Sequence, residues 1–447
     1  MTAKKPNVLF VFSDQQRWDT MGCYGQELPV TPNLDRLAAE GVRFELSFTC
    51  QPVCGPARAC IQTGRYATEN RCHVNGIRLP DGELFLADHL HEAGYETAYV
   101  GKWHLASNSP SDTQKRPVEK YAASPIPPHR RGGYRDYWLA ADVLEHSSDS
   151  QGGRMWDGDM REHNYQGYRV DWTTDGAIDF LKRRKGDRPF FLFLSYLEPH
   201  HQNHRHRYEG PEGSWDKWSQ YKTPGDLQGT GGDWRQNFPD YLGCCNSIDA
   251  NFARIRAELE RQGILEDTLV IYTSDHGSHF RTRNSEYKRS CHEGCVRTPL
   301  LLRGPGFTGG KVVKELASLI DTTPTVLRAA DAPIPEQMRG HALQDAVAGR
   351  IEDWPLEVFI QISEGQIGRA IRTKKWKYSV RAPEDRKGMN SDLYIEDFIY
   401  DLEEDPHERN NLVRDPSLAE ARAELAKILK RRMIEAGEKA PEIRAAV

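Results

Sequence analysis

The chain has 447 residues, 60 Lys and Arg against 65 Asp and Glu, and a formal net charge of -5, so its total charge points to neither nucleic acid nor a membrane surface. With 38% hydrophobic and 28% charged residues and a mean hydropathy of -0.71, it reads as a water-soluble globular protein long enough to bury a large core. No window approaches the roughly 18 apolar residues of a membrane-spanning helix, and nine cysteines without a compact framework argue against a disulfide scaffold.

The N-terminus, Met1 to Pro6, passes into a strand-like run without the apolar core and cleavage site of a signal peptide. The chain as written is therefore expected in the cytoplasm, or in the periplasm or outside the cell if a leader has been removed. Asn7 to Phe12 has the pattern of a strand buried on both faces, and it ends in Ser13-Asp14-Gln15. Thr31 to Gly41 carries helix punctuation, with Thr31 as N-cap, Pro32 in the first turn and Gly41 as terminator. Pro56 to Gln62 repeats that grammar and closes at Gly64. A helix there places Cys54 at its N-terminus, where free N–H groups favour negative charge.

A helix over Leu84 to Ala93 precedes a strand from Tyr95 to Val100, which ends in Gly101-Lys102-Trp103-His104. Ser107 to Gly167, rich in Pro, Gly, Arg and Trp, reads as long surface loops. Thr173 to Arg184 is an amphipathic helix, and the strand Pro189 to Leu194 leads into Glu198-Pro199-His200-His201. Residues 201 to 238 form a second irregular insertion with Trp215, Trp218 and Trp234. Tyr241 to Gln262 is a long helix, and the strand Thr268 to Thr273 ends in Ser274-Asp275-His276-Gly277. A strand over Thr298 to Leu302 and a helix over Thr322 to Ala330 complete an alternating α/β pattern. It implies a large, mostly parallel mixed sheet sandwiched by helices over residues 1–354. Residues 355–447 change texture to short alternating strands and one amphipathic helix, Leu418 to Ile434, which implies a smaller antiparallel sheet with a packed helix.

Four buried strands thus end in polar clusters: Asp14-Gln15, Lys102 with His104, Glu198 with His200-His201, and Asp275-His276. Sites in open α/β sheets form beyond the carboxyl ends of the strands, so these clusters can converge. Asp14, Asp275 and His276 make a divalent-cation site of mixed character. Arg58 and Lys102 suit sulfate or phosphate oxygens, and His104 and His200 can move protons. The residues alone point to metal-assisted transfer of a tetrahedral oxyanion.

Cys54-Gly55-Pro56-Ala57-Arg58, with Thr63-Gly64-Arg65 five residues on, matches C-x-P-x-R followed by T-G-R and resembles the type I sulfatases. Asp14, Gly101 to His104, Pro199-His200, Asp275-His276 and Lys288 before Glu293 to Pro299 fall in that family's order. The tail from Leu393-Tyr394 through Tyr400 to Pro406 and Asn410 to Leu412 is also similar. The resemblance implies the alkaline phosphatase superfamily fold and a formylglycine made from Cys54 by a formylglycine-generating or equivalent maturase. It further implies a cation, calcium first and manganese second, held by Asp14, Gln15, Cys54, Asp275 and His276. Arg58 and Lys102 would steady the hydrated aldehyde, one hydroxyl of which attacks sulfur. His200 and Lys288, with His201 alongside, would contact the substrate, one of them protonating the departing alcohol, and His104 would deprotonate the second hydroxyl.

Gln15 and His276 depart from the Asp and Asn of many sulfatases and resemble both phosphonate monoester hydrolases and some carbohydrate or choline sulfatases, which leaves the choice between sulfur and phosphorus open; Ala57 stands where Ser is common. The expected activity is sulfate removal from a sulfated mono- or oligosaccharide, the Trp-rich insertions offering indole faces for sugar rings. Arg281, Arg283, Lys288 and Arg289 are candidates to hold further anionic groups. The alternatives are a phosphonate monoester or phosphodiester hydrolase on the same scaffold, and a non-catalytic sulfated-glycan binder in which Cys54 stays a thiol.

Overall fold

The computed structural model describes residues 5–110, 112–383 and 387–446; Met1 to Lys4 of the N-terminal stretch lie outside them. The main sheet has eleven strands: β1 (Asn7–Ser13), β2 (Val42–Phe48), β3 (Glu96–Lys102), β4 (Tyr137–Ala141), β5 (Ser148–Asp149), β6 (Gly152–Asp157), β7 (Glu162–Gln166), β8 (Phe190–Ser195), β9 (Thr268–Ser274), β10 (Leu300–Arg303) and β11 (Lys311–Ser318). Their order is β11-β2-β10-β9-β1-β8-β3-β4-β6-β5, with β7 on β6. The centre, β9-β1-β8-β3-β4, is parallel throughout, and the antiparallel pairs lie toward the flanks.

Strand β1 shows why the centre is buried on both faces. Val8, Phe10 and Phe12 point into one core, with Ala57 and Ile61 of the helix Cys54–Thr63, Leu86 and Leu90 of Leu86–Glu92, and Val326 of Thr322–Ala329. Leu9 and Val11 point the other way, toward Leu34 and Leu37 of Pro32–Glu40, Phe180 of Arg169–Arg183, and Ile248 and Phe252 of Trp234–Arg261. Period-2 alternation against two helix layers is the physical content of the doubly covered sheet.

Three readings of the sequence are corrected. The stretch from Ser107 to Gly167 is not loop alone, because β4 to β7 lie in it and extend the sheet. Their signal is weak: β7 reads EHNYQ with one buried residue, and β6 opens on two glycines. Strands β2 and β11 also belong to the sheet, paired in parallel at its far edge. Trp218 and Trp234 are buried with Phe238, Tyr241 and Phe280, so these indoles anchor the insertion; Trp215 is the exposed one.

The second sheet comprises β12 (Glu357–Ile362), β13 (Gly368–Thr373), β14 (Trp376–Arg381), β15 (Leu393–Asp401) and β16 (Glu442–Arg444). The first four are antiparallel neighbours, and β16 adds a parallel edge. One face packs on Leu425, Leu429 and Met433 of the helix Ala419–Glu435, while Val358, Ile360 and Ile362 meet Phe48, Val296 and Leu316 of the main unit. A buried ionic knot pins this junction. Lys377 Nζ lies 2.9 Å from Glu293 Oε1 and 2.9 Å from Glu408 Oε1, and donates to the Cys291 carbonyl at 2.6 Å.

Candidate active site

The strands β9, β1, β8 and β3 are consecutive neighbours, so their carboxyl ends lie side by side and bring Asp14, Lys102, His200, Asp275 and His276 to one edge, while the Glu198 carboxylate pairs with Arg169 instead. Close approach is built into β3: a Cβ on Gly101, whose φ is +106°, would sit 1.9 Å from the Ser195 carbonyl oxygen of β8. The helix Cys54–Thr63 brings its N-terminus to the same edge and delivers Cys54 in its first turn, with Arg58 one turn on.

Cys54 is buried. The sulfur lies 3.4 Å from Asp14 Oδ1 and 3.3 Å from His276 Nε2, and Lys288 Nζ donates to it at 2.7 Å. Burial alone would raise the thiol, but Lys102, Lys288, His276 and His104 together hold it well below its ordinary range.

Arg58 and Lys102 grip Asp14 beneath this point. Arg58 donates to Asp14 Oδ2 at 3.0 Å, Asp275 Oδ2 at 3.4 Å, Ser195 Oγ at 2.7 Å and the Lys102 carbonyl at 2.9 Å; Lys102 Nζ reaches Asp14 Oδ2 at 2.7 Å. Against burial and the Cys54 sulfur, Lys102, His200 and Arg58 depress the Asp14 carboxyl below its usual range. Asp275 behaves oppositely: burial and the Asp14 charge push its carboxyl up to about 6. A divalent cation between the two carboxylates would supply the counter-charge Asp275 needs.

The donor set fits such an ion. One ligand atom each from Asp14, Cys54, Asp275 and His276 lie within 4.8 Å of one another. His276 Nδ1 donates to the Gly277 carbonyl at 2.8 Å, which leaves the Nε2 lone pair facing the cluster. Gln15 sits at the rim, its backbone N–H on Asp275 Oδ1 at 3.0 Å and φ at +70°. Its amide donates to the Tyr208 hydroxyl, and its Oε1 accepts from the His201 N–H at 3.3 Å. Two carboxylates, one imidazole and the Cys54 position make a mixed donor set for a divalent cation.

His200 stands above, its Nε2 3.5 Å from Lys288 Nζ. His201 is packed instead against aromatic rings: it lies against Tyr287 and Tyr208, and burial pushes the imidazole down to about 4. The basic loop is largely committed elsewhere. Arg283 donates to the carbonyls of Glu408 and His407, Arg289 pairs with Glu364 and Glu286, and Arg281 with Asp233, while Lys288 alone of the four reaches the centre.

Sequence reading missed several residues here. Asn75 Oδ1 accepts the Gly55 N–H at 3.0 Å, Ser195 braces Arg58, Tyr208 holds Gln15, and Glu145 approaches His200. Asn75-Gly76 at a turn and Ser195 at a strand end were findable signals; Glu145 and Tyr208 lie in segments without periodicity.

Comparison with known proteins agrees with this geometry. The Sulfatase family model matches residues 6–332, and a model described as N-sulphoglucosamine sulphohydrolase, C-terminal, matches residues 285–435. The chain is similar to the uncharacterized sulfatase YidJ of Escherichia coli, 29% identical over 94% of this chain and 86% of that one. It is also similar to the N-acetylglucosamine-6-O-sulfatase of Bacteroides thetaiotaomicron, 26% identical over 95% and 86%. The solved structure of BT4656 in complex with its substrate D-glucosamine-2-N,6-O-disulfate superposes with a TM-score of 0.79 at 24% identity, covering 98% of this chain and 99% of that one. Because the Sulfatase model spans well over half of its length, the chain belongs to the sulfatase family of the alkaline phosphatase superfamily and is a sulfuric ester hydrolase.

Proposed function

We propose that the protein removes sulfate from a sulfated mono- or oligosaccharide, using a formylglycine made from Cys54 and a divalent cation. The observation that carries this reading is the contact of one buried sulfur, at a helix N-terminus, with Asp14, His276 and Lys288 together. Asp14, Asp275, His276 and the Gln15 oxygen would hold the cation, calcium by the oxygen donors, with manganese second because of the imidazole. When present, the hydrated aldehyde supplies an oxygen nucleophile, and the cation draws charge from the sulfate oxygens.

The chain's own groups do the rest. Arg58 and Lys102 keep Asp14 ionised and fixed, and Lys288 places an ammonium beside the attacking position, where charge on sulfate oxygens grows. His200, its Nε2 beside Lys288, would face the ester oxygen that leaves. His104, one of the groups that lower the Cys54 thiol, is the base that restores the resting state. The sugar is supported by the N-acetylglucosamine-6-O-sulfatase relative and by the neighbour solved with a glucosamine disulfate.

The second reading, hydrolysis of phosphonate monoesters or phosphodiesters, is favoured by Asp14-Gln15 and Asp275-His276, the two departures at the cation pocket. Turnover of an aryl sulfate, an aryl phosphodiester and a panel of sulfated sugars by protein with converted Cys54 separates the two. Sulfate release from a sugar is the expected result; a preference for the phosphodiester with no sulfated sugar cleaved would replace this reading by the second. Mass spectrometry of the Cys54 peptide addresses the glycan-binder alternative, which requires an intact thiol after competent maturation.

A further inference from the structure

His200 looks two ways. Its Nδ1 lies 2.6 Å from the carbonyl oxygen of His201. A carbonyl only accepts, so Nδ1 bears the hydrogen, and Nε2 faces Lys288 and the reaction centre. Behind Nδ1, at 3.4 Å, lies Glu145 Oε2. The carboxylate is held there: the Asn203 amide lies 3.2 and 3.1 Å from its two oxygens, and Asn203 Oδ1 accepts from the Tyr287 hydroxyl at 2.9 Å. The Tyr287 ring stands edge-on to His200, closing the bracket. Among the described residues the ion-pair partners of Glu145 are two imidazoles, His200 and, at 4.0 Å, His146. Burial would raise this carboxyl, yet His200, Lys102 and Lys288 keep it below its ordinary range, so it stays charged.

Lys288 is poorly placed for the other half of the reaction. Its Nζ touches the Cys54 sulfur at 2.7 Å, on the attacking side, whereas an in-line displacement puts the leaving oxygen opposite the attacking one. We propose that Glu145 is a positioning residue for proton delivery: it fixes the His200 ring with Nε2 toward the leaving oxygen, which makes His200 the group that protonates the departing alcohol. As sulfur bonds to the attacking oxygen, the bond from sulfur to the alcohol oxygen breaks and its electron pair stays on that oxygen. The oxygen takes the proton from Nε2, and the imidazole is left neutral with Nδ1–H still on the His201 carbonyl.

This inference rests on the reading of the site as a sulfate-ester hydrolase, and the test keeps the two apart. Kinetics are measured for Glu145→Gln and Glu145→Asp on phenyl sulfate, whose leaving group needs a proton, and on para-nitrophenyl sulfate, whose leaving group does not. With general acid catalysis supplying roughly 100- to 10,000-fold, Glu145→Gln is expected to lose about 10- to 100-fold in kcat/KM on phenyl sulfate and less than about 3-fold on the nitrophenyl ester. Glu145→Asp, which keeps the charge, falls between. In a His200→Ala background, Glu145→Gln leaves the ratio between the substrates unchanged. Inhibition by inorganic sulfate and the unfolding midpoint stay at wild-type values in Glu145→Gln. Equal loss on both substrates, weakened sulfate binding, or a further change of the ratio without His200 would overturn the proposal. A wild-type enzyme that cleaves aryl phosphodiesters and no sulfate ester would overturn the sulfatase reading instead, and the same leaving-group comparison then runs on the phosphodiester pair.

Discussion

Replacing Lys377 by Met tests whether the knot between the two sheets is ionic. The lysine is fully buried and serves three acceptors, two of them the carboxylates of Glu293 and Glu408. Methionine fills a similar volume, so the cost is electrostatic. Removing one partner from a buried ion pair costs about 3–5 kcal/mol, and because Arg372 still reaches Glu293 at 3.3 Å, the lower end, about 3 kcal/mol, is expected at neutral pH. With a urea slope of about 3 kcal/mol per molar, the unfolding midpoint should fall by about 1 M.

The pH dependence carries the sharper test. In the wild type, burial opposes, but Lys377, Arg372 and Arg297 together outweigh it, so the Glu293 carboxyl is held at about 2; it contributes stability present above its ordinary 4.5 and lost as pH falls toward 2. Without the ammonium that contribution shrinks. Glu408, already raised by burial, rises further, so the folded variant keeps a proton that the unfolded chain has released, and its stability falls as pH climbs above 4.5. The deficit should therefore be small near pH 4.5 and widen toward neutrality. A loss under about 1 kcal/mol at neutral pH, or a deficit flat from about pH 5 to 8, would refute the ionic account.

Other consequences lie at the active site. Cys54→Ala should abolish ester hydrolysis while leaving the fold intact by circular dichroism, because the small side chain stays in the core of the helix start. In the metal-free protein Asp275 holds a proton up to about pH 6, so cation affinity measured by calorimetry should rise as pH increases through that value, with proton release. Saturating cation at about 100 times its dissociation constant should stabilise the protein by about 2.7 kcal/mol, a gain that a chelator reverses. Tyr208→Phe strands the buried Gln15 amide and should cost about 1–3 kcal/mol, read by urea unfolding.

Much of the site was legible because its residues sit just past strands whose burial the apolar runs betray. Asn7 to Phe12 and Thr268 to Thr273 advertise themselves, and the residues at the carboxyl end of a buried parallel strand face the crevice. The helix start at Cys54 was equally readable from Pro56 and Gly64. The features that escaped depend on tertiary placement. Strands β6 and β7 lie at a sheet flank with polar, Gly-containing sequences, so no period marks them. Glu145 gains its meaning from His200, a neighbour 55 residues away that no local pattern links to it. The basic run from Arg281 to Arg289 looks like an anion site until Glu364, Glu286 and Asp233 are seen to occupy its guanidinium groups.

The burial of Cys54 also sets a clock. Lys288, which caps its sulfur, lies 234 residues further along the chain, and the strand β9 that completes the cation pocket arrives only shortly before it. An enzyme converting Cys54 needs the side chain in the open. At about 5–20 residues per second of synthesis, the residue would wait about 10–50 s between its own appearance and that of the lysine that closes over it. Under the proposed function, conversion would be a race between maturase and folding, and conditions that slow translation should raise the fraction of chains carrying the aldehyde.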